Sequence, residues 1–408
     1  MARSKMEAGA DPTDAALRLW RRDTPGCFER VHLNNAGAAL MPSPVLNAII
    51  EHLMLESEIG GYEAADIRAT QIGETYQQLA TLLKTSPSNM AVVPSATAGF
   101  VRAVSSFDFE PGDAIVTSRC DYTSNQIQYL ALAKRLGVEI LYADDLPEGG
   151  VDPESVRKLA AHPRCRLVAV SWVPTNSGLV QDVAAVGDVC EEIGVPFLID
   201  ACQAVGQIDI DVGRLKCDYL SATARKFLRG PRGMGFLYAS DRALARGDHP
   251  LFVDMRGARW TDARSYEIDK TAKRYEEWEF PYALVLGMCE AARYALGVGV
   301  DVAGRRAFSL AAQLRDKLSE MPGVRVLDRG SQPCAIVTAT IEGWHGGEIA
   351  KALAARRINA VATLREYAII DFDQKQVESA VRLSPHYYNT SDEIVLAADC
   401  VREIAERR

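Results

Sequence analysis

Residues 196–238 read PFLIDACQAVGQIDIDVGRLKCDYLSATARKFLRGPRGMGFLY. Three apolar runs of strand length lie in this stretch, at 196–200, 218–221 and 234–238. Each is continuous rather than alternating, the pattern of strands covered on both faces. In an open parallel sheet, ligands sit beyond the carboxyl ends of the strands. The first run ends in Asp200, and the second leads into Thr223-Ala224-Arg225-Lys226. A carboxylate at the end of a buried strand is costly without a partner. A protonated ring nitrogen would be one, since an opposite charge shifts a pKa by about 1–3 units; a helix cap or a structural ion pair would serve as well. A partly desolvated Lys226 would be an amine nucleophile, although a solvated loop is the usual place of a lysine. The turn GPRGMG (230–235) is not a GxGxxG set between strand and helix, so it is no dinucleotide fingerprint.

Further strand candidates stand at 90–94, 114–117, 138–142 and 166–171, with helical segments at 98–106, 124–136, 153–161 and 182–193 between the strands. This alternation predicts an α/β fold with a mostly parallel seven-stranded sheet and right-handed crossovers. An amphipathic stretch opens at Pro42-Ser43-Pro44 and runs to about Ile59. Helices at 281–297 and 306–319, a strand–helix–strand pattern and a last helix at 392–406 predict a smaller C-terminal α+β domain. The expected division is an N-terminal arm over 1–30, a large domain over 31–280 whose residues 31–70 join the small domain, and a linking helix with the small domain over 281–408. Strand 90–94 runs into Ser95-Ala96-Thr97-Ala98-Gly99 and a helix. Free N–H groups and the dipole there make an anion site, and an ordinary N-cap reads the same way. A phosphate cradle, a buried aspartate and a strand-end lysine, in that order, describe a site for pyridoxal phosphate.

Composition narrows the classes. The chain has 408 residues, 48% hydrophobic and 25% charged, with a net charge of −8. That balance argues against binding nucleic acid, which needs concentrated positive charge. No uninterrupted apolar run reaches the roughly 18 residues of a spanning helix, and the first 20 residues lack an apolar signal core, so neither a membrane nor export is expected. Nine scattered cysteines without a CxxC read as reduced thiols of a cytoplasmic protein. No Cys/His cluster at ligand spacing suggests a metal site.

The chain resembles the class V aminotransferase-fold enzymes, the group of cysteine desulfurases, selenocysteine lyases, isopenicillin N epimerases and C–S lyases. The resemblance runs from about His32 to the end, on HLNNAGAALMP (32–42), PSATAGF (94–100), DYTSN (121–125), VPTNSG (173–178), IDACQAVGQIDIDV (199–212), SATARKFLRGPRGMGFLY (221–238) and VRLSPHYYNT (381–390). It implies the fold type I of pyridoxal-phosphate enzymes and a homodimer. Lys226 would be the Schiff-base lysine and proton shuttle, and Asp200 the partner of the ring nitrogen. Gln203 and Thr175, with Asn176 the weaker candidate beside it, would hold the ring hydroxyl. Ala96, Thr97, Thr223 and Arg225 would hold the phosphate, Arg225 standing where many relatives carry His. Arg382 would take the substrate carboxylate, a task suited to its fork, with Asn35 and His386 also on the substrate side. A neutral His386 beside Arg382 could receive a leaving-group proton. His32, Tyr62, Tyr387, Tyr388 and Trp278 are pocket aromatics or packed core and interface residues, the latter being the commoner case.

Three departures bear on activity. Tyr122 stands where desulfurases usually place a histidine over the ring, and a phenol titrating near pH 10 is the poorer shuttle at neutral pH. Residues 335–399 contain no cysteine, and ATLREYAIIDFDQ (362–374) fills the loop where desulfurases carry their thiol, so persulfide-forming desulfuration is disfavoured. Glu279, in RYEEWEFPYA (274–283), falls near the position from which relatives reach the neighbouring subunit's phosphate with a Thr. IGGYEAA (59–65) and HYYNT (386–390) look most like lyases acting on S-substituted cysteines, such as hercynylcysteine sulfoxide lyase. The expected function is C–S β-lysis of a cysteine conjugate or sulfoxide to a thiol or sulfenate, pyruvate and ammonia. The alternatives are transamination, epimerisation and decarboxylative oxidative deamination of an amino-acid substrate.

Overall fold

A computed structural model describes residues 14–407. The seven strands of the large sheet are β1 Met90–Val93, β2 Ala114–Thr117, β3 Glu139–Tyr142, β4 Cys165–Ser171, β5 Phe197–Asp200, β6 Tyr219–Thr223 and β7 Gly235–Ala239. Their order is β1-β7-β6-β5-β4-β2-β3. Only β7 runs antiparallel to its neighbours; the other pairs are parallel. All seven lie within two residues of the runs read from the sequence. Every residue of β1, β2, β5, β6 and β7 is buried, which is why these runs are continuous rather than alternating. At the edge, β3 is only partly covered.

Helices Ala96–Val104, Thr123–Leu136, Pro153–Ala160 and Val183–Ile193 fill the crossovers. Ser95 caps the first by accepting from the N–H of Ala98, and Asp182 caps the last by accepting from Ala185. Each crossover brings its strand back parallel, so the carboxyl ends of β2, β4, β5 and β6 open on one side.

The small domain is a four-stranded sheet ordered Val324–Val326, Val337–Ile341, Ser379–Leu383, Val361–Leu364, every pair antiparallel. Helices Val300–Ser319 and Gly346–Ala355 pack on it, and Ser391–Ala405 packs on both of these helices. Val31–His32 pairs in parallel with Ile358–Asn359, so the chain enters the fold on the small-domain side. The first of these helices begins at Val300, ahead of the expected 306, because Gly299 at φ +89° ends the preceding helix Tyr282–Val298 and a new one starts at once. The expected loop at 362–374 is a strand end, a turn Arg365–Tyr367 and a helix Ile369–Lys375 instead. Burial of Phe372 and Asp371 folds it.

Of the expected N-terminal arm, residues 1–13 lie outside the described residues; Asp14–Arg22 is a helix. It is fastened by Trp20, edge-on to Tyr387 at 5.1 Å, and by the Arg21–Glu393 pair at 2.7 Å. The stretch 35–59 departs from the expectation that no segment is apolar enough to span a membrane: by length and composition it passes, with a mean hydropathy of 1.3. In this fold it is divided at Ala39–Pro42 into helices Asn35–Ala38 and Ser43–Ile59. Val45 and Ile49 of the longer one are buried, and the helix packs on Tyr282–Val298. Its other face leaves Leu46, Ile50, Leu53 and Met54 exposed.

One glycine joins the two loops after β5 and β6. Gly206 has φ +92°, and a Cβ on it would lie 2.3 Å from the carbonyl of Phe227. The loop after Asp200 therefore presses backbone to backbone on the segment carrying Lys226. Gly206→Ala combines left-handed strain, about 1–3 kcal/mol on its own, with this overlap. A thermal melt of that variant is expected to fall by several degrees, and an unchanged midpoint would contradict the packing.

Candidate active site

A cavity of about 200 Å3 opens where the carboxyl ends of β4, β5 and β6 face the start of helix Ala96–Val104. Asp200 and Lys226 come from the two strand ends on either side of Gly206. Burial pushes the Lys226 ammonium down against the opposing effect of Cys202 and Asp200, and Arg225 and Arg382 add to the fall. Its Nζ lies 5.9 Å from the centroid of the Tyr122 ring. A desolvated amine of this kind is a nucleophile ready for a carbonyl.

Asp200 is oriented from two sides: Oδ1 accepts from the N–H of Cys202 at 2.9 Å and Oδ2 from Nδ2 of Asn125 at 3.1 Å. The same Asn125 amide donates to Asp121 at 3.1 Å. Burial pushes the Asp121 carboxyl up, against the bonds donated by Ser171, Asn125 and the N–H of Tyr122. The turn that presents Tyr122 is thus bonded to the carboxylate of Asp200 through one asparagine.

Thr175, Gln203 and Arg382 form a second group. Gln203 Nε2 donates to Thr175 Oγ1 at 3.2 Å and to the carbonyl of Ala36 at 3.1 Å, while its Oε1 is buried without a partner. Arg382 donates from Nη1 to Thr175 Oγ1 at 2.7 Å and to the Thr175 carbonyl at 2.8 Å, and its Nε is also buried and unpartnered. Burial and the nearby Arg225 bring its pKa down to about 10. No carboxylate pairs with it among the described residues.

Ala96 and Thr97 line the cavity in the first turn of their helix, where backbone N–H groups have no intrahelical acceptor. A Cβ on Gly235 would lie 2.7 Å from the Ala96 nitrogen, so β7 backs this turn directly. Thr223, Arg225 and Arg232 line the same end. Arg225 donates to the carbonyl of Gly37, and burial and Arg232 lower its pKa.

These residues fit pyridoxal phosphate on the structure's own terms. The helix turn and arginines suit a phosphate, Asp200 a protonated ring nitrogen, the lysine an aldehyde, and the orphaned Gln203 oxygen and Arg382 nitrogen await polar partners.

The structure brings Ala96, Thr97, Tyr122, Thr175, Asp200, Gln203, Thr223, Arg225 and Lys226 to one cavity and sets Arg382 against it through Thr175. Asn35 and His386 are elsewhere, which corrects their expected place. Asn35 donates to the carbonyls of His32 and Ser384 and accepts from the Tyr388 hydroxyl at 2.6 Å, so its whole amide is engaged. His386 accepts from the Tyr387 N–H at Nδ1 and donates from Nε2 to the Phe227 carbonyl at 3.0 Å. Burial and Arg229 hold its pKa well below the ordinary histidine range. A neutral, fully buried imidazole with both nitrogens occupied has no room for a leaving-group proton. Asn176 bonds Asp371 at 2.6 Å instead of facing the cavity. His32 bonds the Ala38 carbonyl, Tyr387 and Tyr388 pack on Arg229, and Tyr62, Trp278 and Glu279 line a separate surface groove.

The cavity also holds Cys202, Ser171 and Arg232, and Asn125 stands behind it, all absent from the sequence-derived set. Arg232 lies within the motif GPRG, whereas Asn125, although within DYTSN, is marked only by its contact with Asp200 in the fold.

The sequence profile of the family Aminotransferase class-V matches residues 31–396. The chain belongs to this family. Class-V aminotransferases work with pyridoxal phosphate, and this chain is a pyridoxal-phosphate-dependent enzyme of the family. It is 26% identical over 393 residues to a probable cysteine desulfurase of Methanothermobacter thermautotrophicus, covering 94% of this chain and 97% of that one. It is 25% identical over 399 residues to a probable hercynylcysteine sulfoxide lyase of Mycobacterium tuberculosis, covering 97% and 95%. The apo structure of a cysteine desulfurase from Thermococcus onnurineus NA1 superposes with a TM-score of 0.88 at 21% identity, covering 98% of this chain and all of that one. That likeness establishes the fold of the family.

Borohydride reduction of the purified holoenzyme is expected to bleach its visible band and leave the cofactor on Lys226 in peptide maps. Recovery of the label on Lys216, which is half-exposed and paired with Glu191 and Asp188, would overturn the placement.

Proposed function

We propose that this class-V enzyme is a C–S β-lyase acting on an S-substituted cysteine, a conjugate or a sulfoxide. For a conjugate, R–S–CH2–CH(NH3+)–COO− plus water gives R–SH, pyruvate and ammonium; a sulfoxide gives the sulfenic acid R–SOH in place of the thiol. When bound, the cofactor supplies the electron sink for a negative charge at the substrate Cα. Lys226 takes the Cα proton and returns protons later in the cycle. Asp200, held by Asn125 and Cys202, keeps the positive charge of the ring nitrogen in place. Arg382 receives the substrate carboxylate, its fork aimed by Thr175. Tyr122 covers the cavity beside Lys226.

The observation that carries this reading is the construction of segment 361–375. Desulfuration through a protein-bound persulfide needs a thiolate able to reach the substrate sulfur. This segment is a strand, a turn and a helix closed down on the large domain, with no cysteine in it. Cys202 is the cysteine lining the cavity, and burial followed by the charge of Asp200 pushes its thiol up, away from the thiolate form. Similarity to the sulfoxide lyase points the same way. Similarity to cysteine desulfurases supports the second reading, desulfuration, whose amino-acid product is alanine.

The holoenzyme is to be mixed with S-substituted cysteines and their sulfoxides, assaying pyruvate, ammonia, alanine and released sulfur together. Equal pyruvate and ammonia, still the products in Cys202→Ala and Cys334→Ala, is the expected result. Alanine with sulfide, lost in either variant, would establish desulfuration instead.

We further propose that the enzyme is a homodimer of the cytoplasm, where its nine free cysteines stay reduced. The partner copy would cover the exposed face of helix Ser43–Ile59 and the groove containing Tyr62 and Trp278, an apolar continuity that a monomer seldom leaves open. Sedimentation is expected to give twice the chain mass of 44.6 kDa, with the double variant Leu53→Lys, Met54→Lys shifting toward monomer. A wild-type monomer at micromolar concentration would end this reading.

A further inference from the structure

Segment 365–375 of the small domain, with its helix Ile369–Lys375, lies over the turn that follows β2. At its centre is Asp371, 2% exposed. One carboxylate oxygen accepts from the Cys120 thiol at 3.3 Å. The other accepts from Asn176 Nδ2 at 2.6 Å and from Lys375 Nζ at 2.7 Å. The Lys375–Asp371 pair is itself sequestered, with side chains 8% and 3% exposed. The Thr123 hydroxyl donates to the Tyr367 carbonyl and closes the same contact from the other end.

The two large-domain partners of Asp371 have telling neighbours. Cys120 is two residues before Tyr122, whose ring stands beside the Lys226 amine. Asn176 directly follows Thr175, whose hydroxyl receives both Arg382 and Gln203. One buried carboxylate thus grips two loops that both line the cavity. We propose that Asp371 is a positioning residue of this active site, setting the Tyr122 turn and the Thr175 loop in register from the small domain. The proposal rests on the cavity being the cofactor site and is independent of which reaction follows.

Energetics and chemistry favour this over a merely structural pair. A buried ion pair is a poor source of stability compared with apolar packing of the same volume, so stability alone does not account for the Asp371–Lys375 pair. Burial and the charge of Asp371 push the Cys120 thiol up, so it remains protonated and donates. The loop of Thr175 is gripped a second time from the small domain: the Gly178 N–H donates to Asp328, itself paired with Arg315 at 2.8 Å. Removal of Asp371 alone therefore loosens Asn176 and Cys120 without freeing the whole loop.

The test compares the resting holoenzymes of wild type, Asp371→Ala, Cys120→Ser and the double variant Cys120→Ala, Asn176→Ala. Readouts are the visible circular dichroism of the bound cofactor, cofactor retention on dialysis and the thermal midpoint. None requires a substrate, so failure of the lyase reading leaves them intact. Asp371→Ala is expected to change the sign or size of the visible dichroism and to weaken retention about ten-fold, the order expected for a lost bond to a charged group. Cys120→Ser keeps a donor and is expected to match wild type. If Asp371→Ala does not fold, the double variant, which removes both large-domain grips and leaves the Asp371–Lys375 pair, must show the same dichroic change. Wild-type dichroism and retention in whichever of these two variants folds, with only a lowered thermal midpoint, would overturn the proposal.

Discussion

Three cations stand around one small cavity, Lys226 and Arg382 buried and Arg225 partly so, and the carboxylate of Asp200 is the one that lines it. Desolvating a charge costs several kcal/mol even after the surroundings relax, and here the cations also repel one another. Burial lowers the pKa of all three in consequence. Such a concentration of positive charge is tolerable when the neighbouring volume is to hold anions, and a phosphate at one end with a carboxylate at the other meets that demand. The same imbalance gives Lys226 its nucleophilic amine. The chemistry and the electrostatic cost of the site are one fact.

Holding that arrangement requires a rigid frame, which the sheet provides. Its central strands are covered on both faces, so the residues at their carboxyl ends have little freedom, and Gly206 and Gly235 let backbone meet backbone where a Cβ would force the loops apart. Side-chain amides do the finer adjustment. Asn125 joins the two buried carboxylates Asp121 and Asp200, and Gln203 joins the N-terminal segment at Ala36 to Thr175. Both spend their donors on orientation, and Gln203 keeps a buried Oε1 without a partner at the cavity.

The small domain completes the site instead of merely adjoining it. Arg382 arrives from its strand Ser379–Leu383, while Asp328 and Asp371 hold the loop that carries Thr175. Where a family member built for persulfide chemistry needs a reachable thiol, this chain has a folded segment anchored by a carboxylate.

The seven strands were legible because a doubly covered sheet demands continuous apolar runs, and Asp200 and Lys226 because the end of a parallel strand is where a polar residue has a task. Composition and motif order carried the family and its cofactor. Asn35 and His386 show the limit: both stand in matching motifs, yet the chain turns each into the interior, where every polar atom finds a partner. Asn125 and Asp371 were out of reach for the complementary reason. Asn125 meets Asp200 75 residues away, and Asp371 meets Asn176 and Cys120 across 195 and 251 residues. Local pattern determined which elements form and which residue types stand at their ends. Only the tertiary packing decided which side chains face the cavity, because a hydrogen bond is set by distance in space and sequence separation carries no record of it.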